Sequence, residues 1–367
     1  MKKIGLVVCS IFLLALLVNT NMGFLVSAQT NQTIQITEIG QLNTTGGAAN
    51  VQVQNDIAYL SDSEGGLYII DVSDPHNPTE LSIFNEAIDH IHELYVDGNL
   101  AYVADYTEGF KILNISDSLN PTQIGVFHDG GEVGTFDIFE DLAFIADFED
   151  GLEIVNISDP TNPTETYQYD TDLSYIFNVV VQNDLAYVSD FISASEKSLK
   201  ILNISDLSDI QEIAEYTIDG EVFAIDFIED IAYMMCSYGG VQIYNVSDSL
   251  SLIEVGSYYN GGNAVDMEFY EGYAIIVGGT NDLEFLDVSN FDNITAIASY
   301  SDTGRASDLT IVGDIFFVAD GEGGLEILQV EIFTGSTTDS DLTVVILAAS
   351  LIGLVIVILI IVKVRKS

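Results

Sequence analysis

The sequence NDIAYLSDSEGGLYIIDVSDP, residues 55–75, contains the pattern that decides the fold. It recurs as NLAYVADYTEGFKILNISD at residues 99–117 and in further copies along the chain. One position of the pattern, Ala58 in the first copy, returns at intervals of 42 to 46 residues, at Ala101, Ala143, Ala186, Ala232, Ala274 and Phe316. Seven copies at a nearly constant interval indicate one repeat architecture instead of several unrelated domains.

Each copy contains four short runs that favour β-strands. In the first copy these runs are Val51–Gln54, Ile57–Ser61, Leu67–Val72 and Thr79–Phe84. They are rich in branched and aromatic residues, and Asn, Asp and Gly separate them, which is typical of strands joined by tight turns. Four strands in a repeat of about 40–50 residues are the signature of a propeller blade. The sequence therefore predicts an all-β, seven-bladed β-propeller.

The first and last strands of this propeller are predicted to share a blade. The seventh copy supplies three runs, and no fourth run follows it. Near the other end of the chain, Ile36–Gly40 resembles the fourth runs Pro121–Val126 and Leu252–Ser257. We expect this N-terminal strand to complete the last blade, because ring closure removes an open sheet edge.

The segments Leu67–Pro75, Leu152–Pro160 and Leu283–Asn290 resemble the LVIVD-repeat family, whose motif ends in an apolar strand, Asp and a turn. The resemblance covers roughly residues 34–332. It implies a propeller module of a bacterial or archaeal secreted or surface protein, in a family whose members mostly have no assigned activity. Two departures stand out. Phe191–Ser198 predicts a longer loop in the fourth copy, and the fifth and sixth copies lack the Asp of the second strand.

The two ends of the chain are apolar and predict export and membrane attachment. Residues 1–28 have the charged start, apolar stretch and small-residue cleavage site of a signal peptide, and the alternative is an uncleaved anchor. Residues 29–333 form the predicted extracellular propeller, and residues 334–341 a polar spacer. Residues 342–362 lack charges and predict one transmembrane helix. The basic residues of the tail, 363–367, place that tail in the cytoplasm.

The charge balance is strongly acidic, with 57 Asp and Glu against nine Lys and Arg. Five of the basic residues lie at the two ends, so only Lys111, Lys197, Lys200 and Arg305 remain between residues 29 and 341. Such a surface repels nucleic acid and attracts cations and basic partners. Solubility or tolerance of high salt is the alternative explanation.

Carboxylates on the innermost strands suggest a cation site. Strand alternation predicts that several side chains face the central channel, namely Glu93, Asp137, Asp226, Asp266, Glu268 and Asp308. The loops between second and third strands add Asp62, Glu64, Asp105, Glu108, Asp147, Glu149, Asp150, Asp190, Asp320 and Glu322. Hard oxygen ligands suit Ca²⁺. We predict a Ca²⁺ site at the channel mouth formed by Glu93, Asp137, Asp226, Asp266 and Asp308. The alternative is that turns favour these residues for backbone reasons.

Seven Asn-x-Ser/Thr sequons predict glycosylation sites at Asn31, Asn43, Asn114, Asn156, Asn203, Asn245 and Asn293. Four of them repeat one position at the end of the third strand, where Asp71 and Asp287 stand in other copies. The alternative explanation is that Asn and Asp both close this turn with a side-chain hydrogen bond.

These features predict a cell-surface binding, scaffold or adhesion module that presents an acidic face to a protein, glycan or cation, and no enzyme. One alternative is a metal-dependent propeller hydrolase or lyase that uses channel carboxylates and His92. A second alternative is a purely structural component of the cell envelope.

Overall fold

The computed structural model describes residues 32–334, 342–346 and 360–364, apart from residues 87, 89, 149, 170–174, 194–195, 249–250, 260 and 279–280. Seven four-stranded antiparallel sheets form the seven blades predicted from the repeats. The first three blades are β2 (Ala48–Gln54), β3 (Ile57–Asp62), β4 (Gly66–Asp71), β5 (Thr79–Phe84); β6 (Ile91–Asp97), β7 (Leu100–Asp105), β8 (Gly109–Asn114), β9 (Thr122–Phe127); and β10 (Val133–Phe139), β11 (Leu142–Asp147), β12 (Gly151–Asn156), β13 (Thr164–Tyr169).

Blades 4 to 6 follow the same order. They are β14 (Ile176–Gln182), β15 (Leu185–Ser193), β16 (Glu196–Asn203), β17 (Gln211–Thr217); β18 (Val222–Ile228), β19 (Ile231–Cys236), β20 (Gly240–Asn245), β21 (Ile253–Tyr258); and β22 (Ala264–Tyr270), β23 (Tyr273–Gly278), β24 (Leu283–Asp287), β25 (Thr295–Tyr300), with a 3-10 turn at Phe291–Asn293 before β25.

Blade 7 confirms the predicted closure. It consists of β26 (Asp308–Val312), β27 (Ile315–Ala319), β28 (Leu325–Thr334) and, as its outermost strand, β1 (Gln32–Leu42). The first and last parts of the propeller are therefore joined by a β-ladder, so unrolling the ring would require breaking a sheet.

The predicted turn chemistry is also present. Asn55 and Asp56, which join the first two strands of blade 1, both have positive φ, at 53° and 62°. Positive φ at both central residues is what a type I′ hairpin turn requires. In blade 4, however, the predicted longer loop at Phe191–Ser198 is wrong. The strands continue into it, and Phe191 pairs with Lys197, whose Nζ lies 5.6 Å from the centroid of the Phe191 ring.

The core is a ring of sheet-to-sheet interfaces. Between blades 7 and 1, for example, Val51 and Leu60 pack with Ile327 and Leu325, and all four are fully buried. The alanine position that defines the repeat is fully buried in every blade. Blade 7 has Phe316 there instead, and its ring stacks on Phe285 of blade 6 at 5.9 Å. Burial of apolar side chains between neighbouring sheets thus holds each blade to the next.

The ends of the chain form a separate unit, in which β29 (Leu342–Ile346) pairs antiparallel with β30 (Ile360–Val364). Within the residues that the structure describes, no helix is long and apolar enough to cross a membrane. The predicted helix over 342–362 is therefore not confirmed: both of its ends are strands, and residues 347–359 lie outside the described part. The predicted signal peptide, 1–28, also lies outside it.

Candidate functional site

The innermost strands of the seven blades surround a central channel that contains a cavity of about 420 Å³. Four of the five predicted metal ligands, Glu93, Asp137, Asp266 and Asp308, line this cavity. The fifth, Asp226, lies on β18, and the charges of Glu268 and Asp308 act on it. The prediction that these side chains face the channel is confirmed for the four that line the cavity.

Four of the five residues occupy two layers of the channel. Glu93 and Asp266 are the third residues of β6 and β22, whereas Asp137 and Asp226 are the fifth residues of β10 and β18. Two residues along a strand correspond to about 7 Å. Among the described residues, no set of three channel carboxylates brings its oxygens within 4.8 Å of one another. Ca²⁺ binding by these five residues stays a prediction.

Some of the channel carboxylates join neighbouring blades. The Val51 amide of blade 1 donates to Asp308 Oδ2 of blade 7 at 2.6 Å, and the Val181 amide of blade 4 donates to Asp137 Oδ2 of blade 3 at 2.7 Å. An innermost strand pairs with a neighbouring strand on one side only, so its remaining amides need other acceptors. A carboxylate in the channel therefore has a structural use that the sequence pattern does not reveal.

Burial raises the pKa values of four channel carboxylates. Burial first, and then the charges of Asp308 and Asp137, raise the pKa of Glu93 to about 8. Burial and the charges of Glu268 and Asp308 raise the pKa of Asp226 to about 7. Burial also raises the pKa values of Asp266 and Asp308, which are hydrogen-bonded to each other. Part of the formal negative charge of the channel is therefore neutralised by protons near pH 7.

His92 lies in the same cavity, next to Glu93. Its ring stacks on Tyr106 with 5.0 Å between centroids. Burial, with a smaller contribution from His90, lowers the pKa of His92 to about 4, so the imidazole is neutral at pH 7. A neutral imidazole can accept a proton or bind a metal ion.

Aromatic side chains occupy the mouth of the channel on the side of blades 2 to 5. Tyr106, Phe177 and Phe223 are half-buried, and Phe148 beneath them contacts Tyr106 and Phe177 with ring centroids 5.7 and 5.9 Å apart. Phe177 and Phe223 contact each other at 5.5 Å. Sequence analysis missed this group, because each of its four members lies in a different repeat.

Two tighter groups of carboxylates lie outside the channel, in loops of the same face. They are Asp129, Asp147 and Asp150 in blade 3, and Asp282, Asp302 and Asp320 around blade 7. In each group, one carboxylate oxygen from every residue lies within 4.8 Å of the others. The sequence had indicated Asp147, Asp150 and Asp320 as loop acids. It had not indicated Asp282, which lies in the equivalent loop of blade 6, or Asp129 and Asp302, which lie in loops that enter the innermost strands.

The repeated sequon position forms the predicted turn. The Oδ1 atoms of Asn114, Asn156, Asn203 and Asn245 accept hydrogen bonds from the amide two residues later, at 2.9–3.0 Å. Asp71 and Asp287 accept the same bond in blades 1 and 6. The structural explanation is confirmed, and glycosylation stays a prediction. Asn43 and Asn293 are exposed, and Asn31 lies outside the described residues.

Two solved structures share the architecture. The computationally designed Ika8 protein is 11% identical with a TM-score of 0.59, and the alignment covers 80% of this chain and 99% of that one. The β-propeller domain of Myceliophteria thermophila Cps50 (Swd1) is 12% identical with a TM-score of 0.62, covering 81% and 100%. At such identities the likeness shows the fold alone. The comparison with curated proteins found no match.

The model of the LVIVD repeat matches six segments of the chain: residues 45–86, 90–129, 130–171, 176–218, 261–302 and 303–350. Residues of blade 5, where Cys236 replaces the usual Asp, fall between two of these segments. Because the matched segments make up most of the sequence, the chain belongs to the LVIVD repeat family.

Proposed function

We propose that the protein is a binding or scaffold module on the outer surface of the cell, which presents the acidic mouth of its channel to a basic segment of a protein partner. The repeat propeller supports a binding module in general. The observation that carries the choice of partner is the composition of the channel cavity. Its walls contain Glu93, Asp266 and Asp308, and no lysine or arginine is among the described residues that line it.

The aromatic side of the mouth favours the same type of ligand. Phe177 and Phe223 face the cavity, and Tyr106 adjoins it through its contact with His92. An ammonium or guanidinium group is attracted both by carboxylates and by the faces of aromatic rings, and its aliphatic stem packs on those rings. We therefore favour inserted Lys or Arg side chains over a neutral glycan.

The apolar ends support surface display. The 21 residues 342–362 contain no charge and are long enough to span a bilayer as a helix, followed by Lys363, Arg365 and Lys366. The N-terminal 28 residues would direct export. The test uses intact cells that produce the full-length protein with an epitope in the tail. External protease should remove the acidic body and leave the tail protected; protection of both parts would contradict the proposal.

The partner chemistry is tested by panning a displayed peptide library against purified full-length protein. Peptides rich in Lys or Arg should be enriched, and their affinity should fall with salt. At pH 9, where Glu93 is ionised, the double variant Glu93→Gln/Asp266→Asn should bind them at least tenfold more weakly. The control is Asp74→Asn/Asp117→Asn, which changes two exposed acids in the turns between third and fourth strands, on the opposite face. Enrichment without basic residues, or equal affinity of both variants, would contradict the proposal.

A metal-dependent hydrolase or lyase is the second candidate, and one observation favours it: neutral His92 and Glu93, with its pKa of about 8, are adjacent in one cavity. A general acid or base works best with a pKa near the working pH. Turnover of ester, phosphoester or uronate substrates with added Zn²⁺ or Mn²⁺, lost in Glu93→Gln, would support it. A structural role in the envelope becomes the better account if neither basic ligands nor turnover is found.

A further inference from the structure

One position of the blade bears a buried charge outside the channel. The second strand ends in Asp in five blades, at Asp62, Asp105, Asp147, Asp190 and Asp320. Each of these side chains is at most 1% exposed. A carboxylate that is removed from water is costly unless hydrogen-bond donors or a cation replace the lost hydration.

Blades 1, 2 and 4 supply this compensation from their own residues. In blade 1, Asp62 accepts hydrogen bonds from the amides of Gly46, Glu64 and Gly65 at 2.7–3.0 Å. In blade 2, Lys111 Nζ lies 2.6 Å from Asp105 Oδ2. In blade 4, neither oxygen of Asp190 has a hydrogen bond of good geometry, but Lys200 Nζ lies 3.0 Å from Asp190 Oδ2 and supplies the opposite charge. These two lysines are half of the four basic residues between residues 29 and 341.

Blades 3 and 7 have an acid where those lysines stand. Glu153 lies opposite Ile145 in blade 3, in the register in which Lys111 lies opposite Val103 in blade 2. Glu326 has the corresponding place in blade 7, opposite Val318. The third strands of blades 3 and 7 therefore place no Lys or Arg side chain beside Asp147 or Asp320 at this register position.

The buried aspartates of these two blades also lack adequate donors. Asp147 Oδ1 and both carboxylate oxygens of Asp320 are buried and have no hydrogen-bond partner of good geometry. The Glu132 amide lies near Asp147 and the Arg305 amide near Asp320, and each opposes only part of the rise in the pKa of its aspartate. The exposed Arg305 side chain forms no ion pair within 4 Å among the described residues.

In blade 3 two further carboxylates approach the buried one. Asp129, from the loop that enters the innermost strand, and Asp150, from the next hairpin turn, place oxygens within 4.8 Å of Asp147. The Gly131 amide holds Asp129 through a 3.1 Å hydrogen bond to Oδ1. Gly131 also leaves the space free, because a Cβ there would lie 2.3 Å from Asp147 Oδ1.

Blade 7 repeats this geometry, except that its third acid comes from the neighbouring blade. Asp302 corresponds to Asp129, and the Gly304 amide donates to its Oδ1 at 2.7 Å. A Cβ on Gly304 would lie 1.8 Å from Asp320 Oδ2, so glycine again keeps the space beside the buried carboxylate open. The third acid, Asp282, comes from blade 6. A cation here would be held by two adjacent blades.

We propose that each cluster binds one Ca²⁺ ion: Asp129, Asp147 and Asp150 in blade 3, and Asp282, Asp302 and Asp320 between blades 6 and 7. The ion would compensate the buried aspartate as the lysine ammonium does in blades 2 and 4. All the donors are oxygens, which excludes a preference for soft metals. The exposed Asp129 and Asp302 leave room for water, which suits the six to eight oxygens and flexible geometry of Ca²⁺. This inference does not depend on the proposed partner.

The first measurement is the number of ions bound to the full-length protein in a mild detergent after removal of metal. Equilibrium dialysis with Ca²⁺ should give two ions per chain, and the melting temperature should rise until both sites are filled. A tenfold excess of Mg²⁺ should not displace them. No binding at millimolar Ca²⁺, or displacement by Mg²⁺, would overturn the proposal.

Variants separate the sites from general surface charge. Asp147→Asn and Asp320→Asn should each remove one ion, whereas Asp62→Asn, the same position in blade 1, should leave two. Glu153→Lys/Glu326→Lys copies the lysine of blade 2 into both sites. This variant should bind no Ca²⁺ and, without metal, should melt at a higher temperature than the unmodified protein. Two ions retained in the lysine variant would overturn the proposal, and that result does not depend on a destabilising substitution.

Discussion

Blades 2 and 3 have nearly the same backbone and opposite electrostatics at one position. In blade 2 the second strand ends at Asp105 opposite Gly109, and in blade 3 at Asp147 opposite Gly151. The third strand then offers Lys111 in one case and Glu153 in the other. The hairpin geometry is therefore insensitive to the sign of the charge that it buries. Each blade compensates its buried aspartate separately, by amides, by an ammonium group or, as we propose, by a metal ion.

The pKa shifts also differ between blade 3, which has acids at this position, and blade 4, which has a lysine. Burial, followed by the charges of Asp129 and Asp150, raises the pKa of Asp147 to about 7. Burial and a hydrogen bond to Asp129 raise the pKa of Glu153 to about 9. In blade 4, burial opposes the charged form of Lys200, but the hydrogen bond and charge of Asp190 outweigh it and raise the pKa of Lys200. Blade 4 thus holds an ion pair where blade 3, without metal, holds protons.

The largest effect should come from removing the ammonium group of blade 2. Lys111→Met leaves Asp105 buried without its cation, and such a change costs about 3–5 kcal/mol of unfolding free energy. Urea unfolding followed by circular dichroism measures the loss. The double variant Asp105→Asn/Lys111→Met should recover most of it, because no charge is then buried. Equal stability of the single and double variants would show that the ion pair is not what Asp105 needs.

Blade 5 has a neutral version of the position, with Cys236 and Gln242 in place of Asp and Lys. Cys236→Asp introduces a buried carboxylate without a cation and should lower the unfolding free energy by about 3 kcal/mol. Adding Gln242→Lys should restore part of the loss. The same urea experiment measures both changes in unfolding free energy. If Gln242→Lys restores no stability, the position in blade 5 does not behave like that in blade 2.

The pH dependence of stability reports the buried acids of blade 3 in metal-free protein. The folded-state pKa values of Asp147, about 7, and Glu153, about 9, lie above their unfolded values near 4. Between these limits the folded state holds protons that the unfolded state has released, so stability falls as pH rises. The melting temperature in chelator should therefore be lower at pH 9 than at pH 6, and the fall should be smaller in Glu153→Lys. An identical fall in both proteins would contradict this assignment.

The smallest effects should arise at the turn after the third strand. The side chain that accepts the hydrogen bond from the amide two residues later is Asp71 in blade 1 and Asn156 in blade 3. Asn156→Asp should change the unfolding free energy by less than about 0.5 kcal/mol, because Asp71 makes the equivalent bond in blade 1. Asn156→Ala removes the acceptor and should cost about 1 kcal/mol. Both variants delete the sequon, so a mass difference common to both, relative to protein from the native host, would report a glycan.

The parts of the site that follow the repeat were predictable. Glu93 and Asp266 face the channel because the repeat determines strand alternation, and the turn at Asn156 follows from local hydrogen bonding. The amide bond from Val51 to Asp308 was not predictable, since it connects the first blade to the last across the closed ring.

By itself, the sequence determined the number of blades, the strands, the turns and the closure by Ile36–Gly40, because these depend on local periodicity and its repetition. Tertiary structure alone decided which carboxylates meet. Asp129 reaches Asp147 through the loop that enters the blade, and Asp282 reaches Asp320 from the neighbouring blade. Electrostatic energy depends on distances in space, so residues 18 or 38 positions apart in the sequence can share one cation only after the sheets have packed.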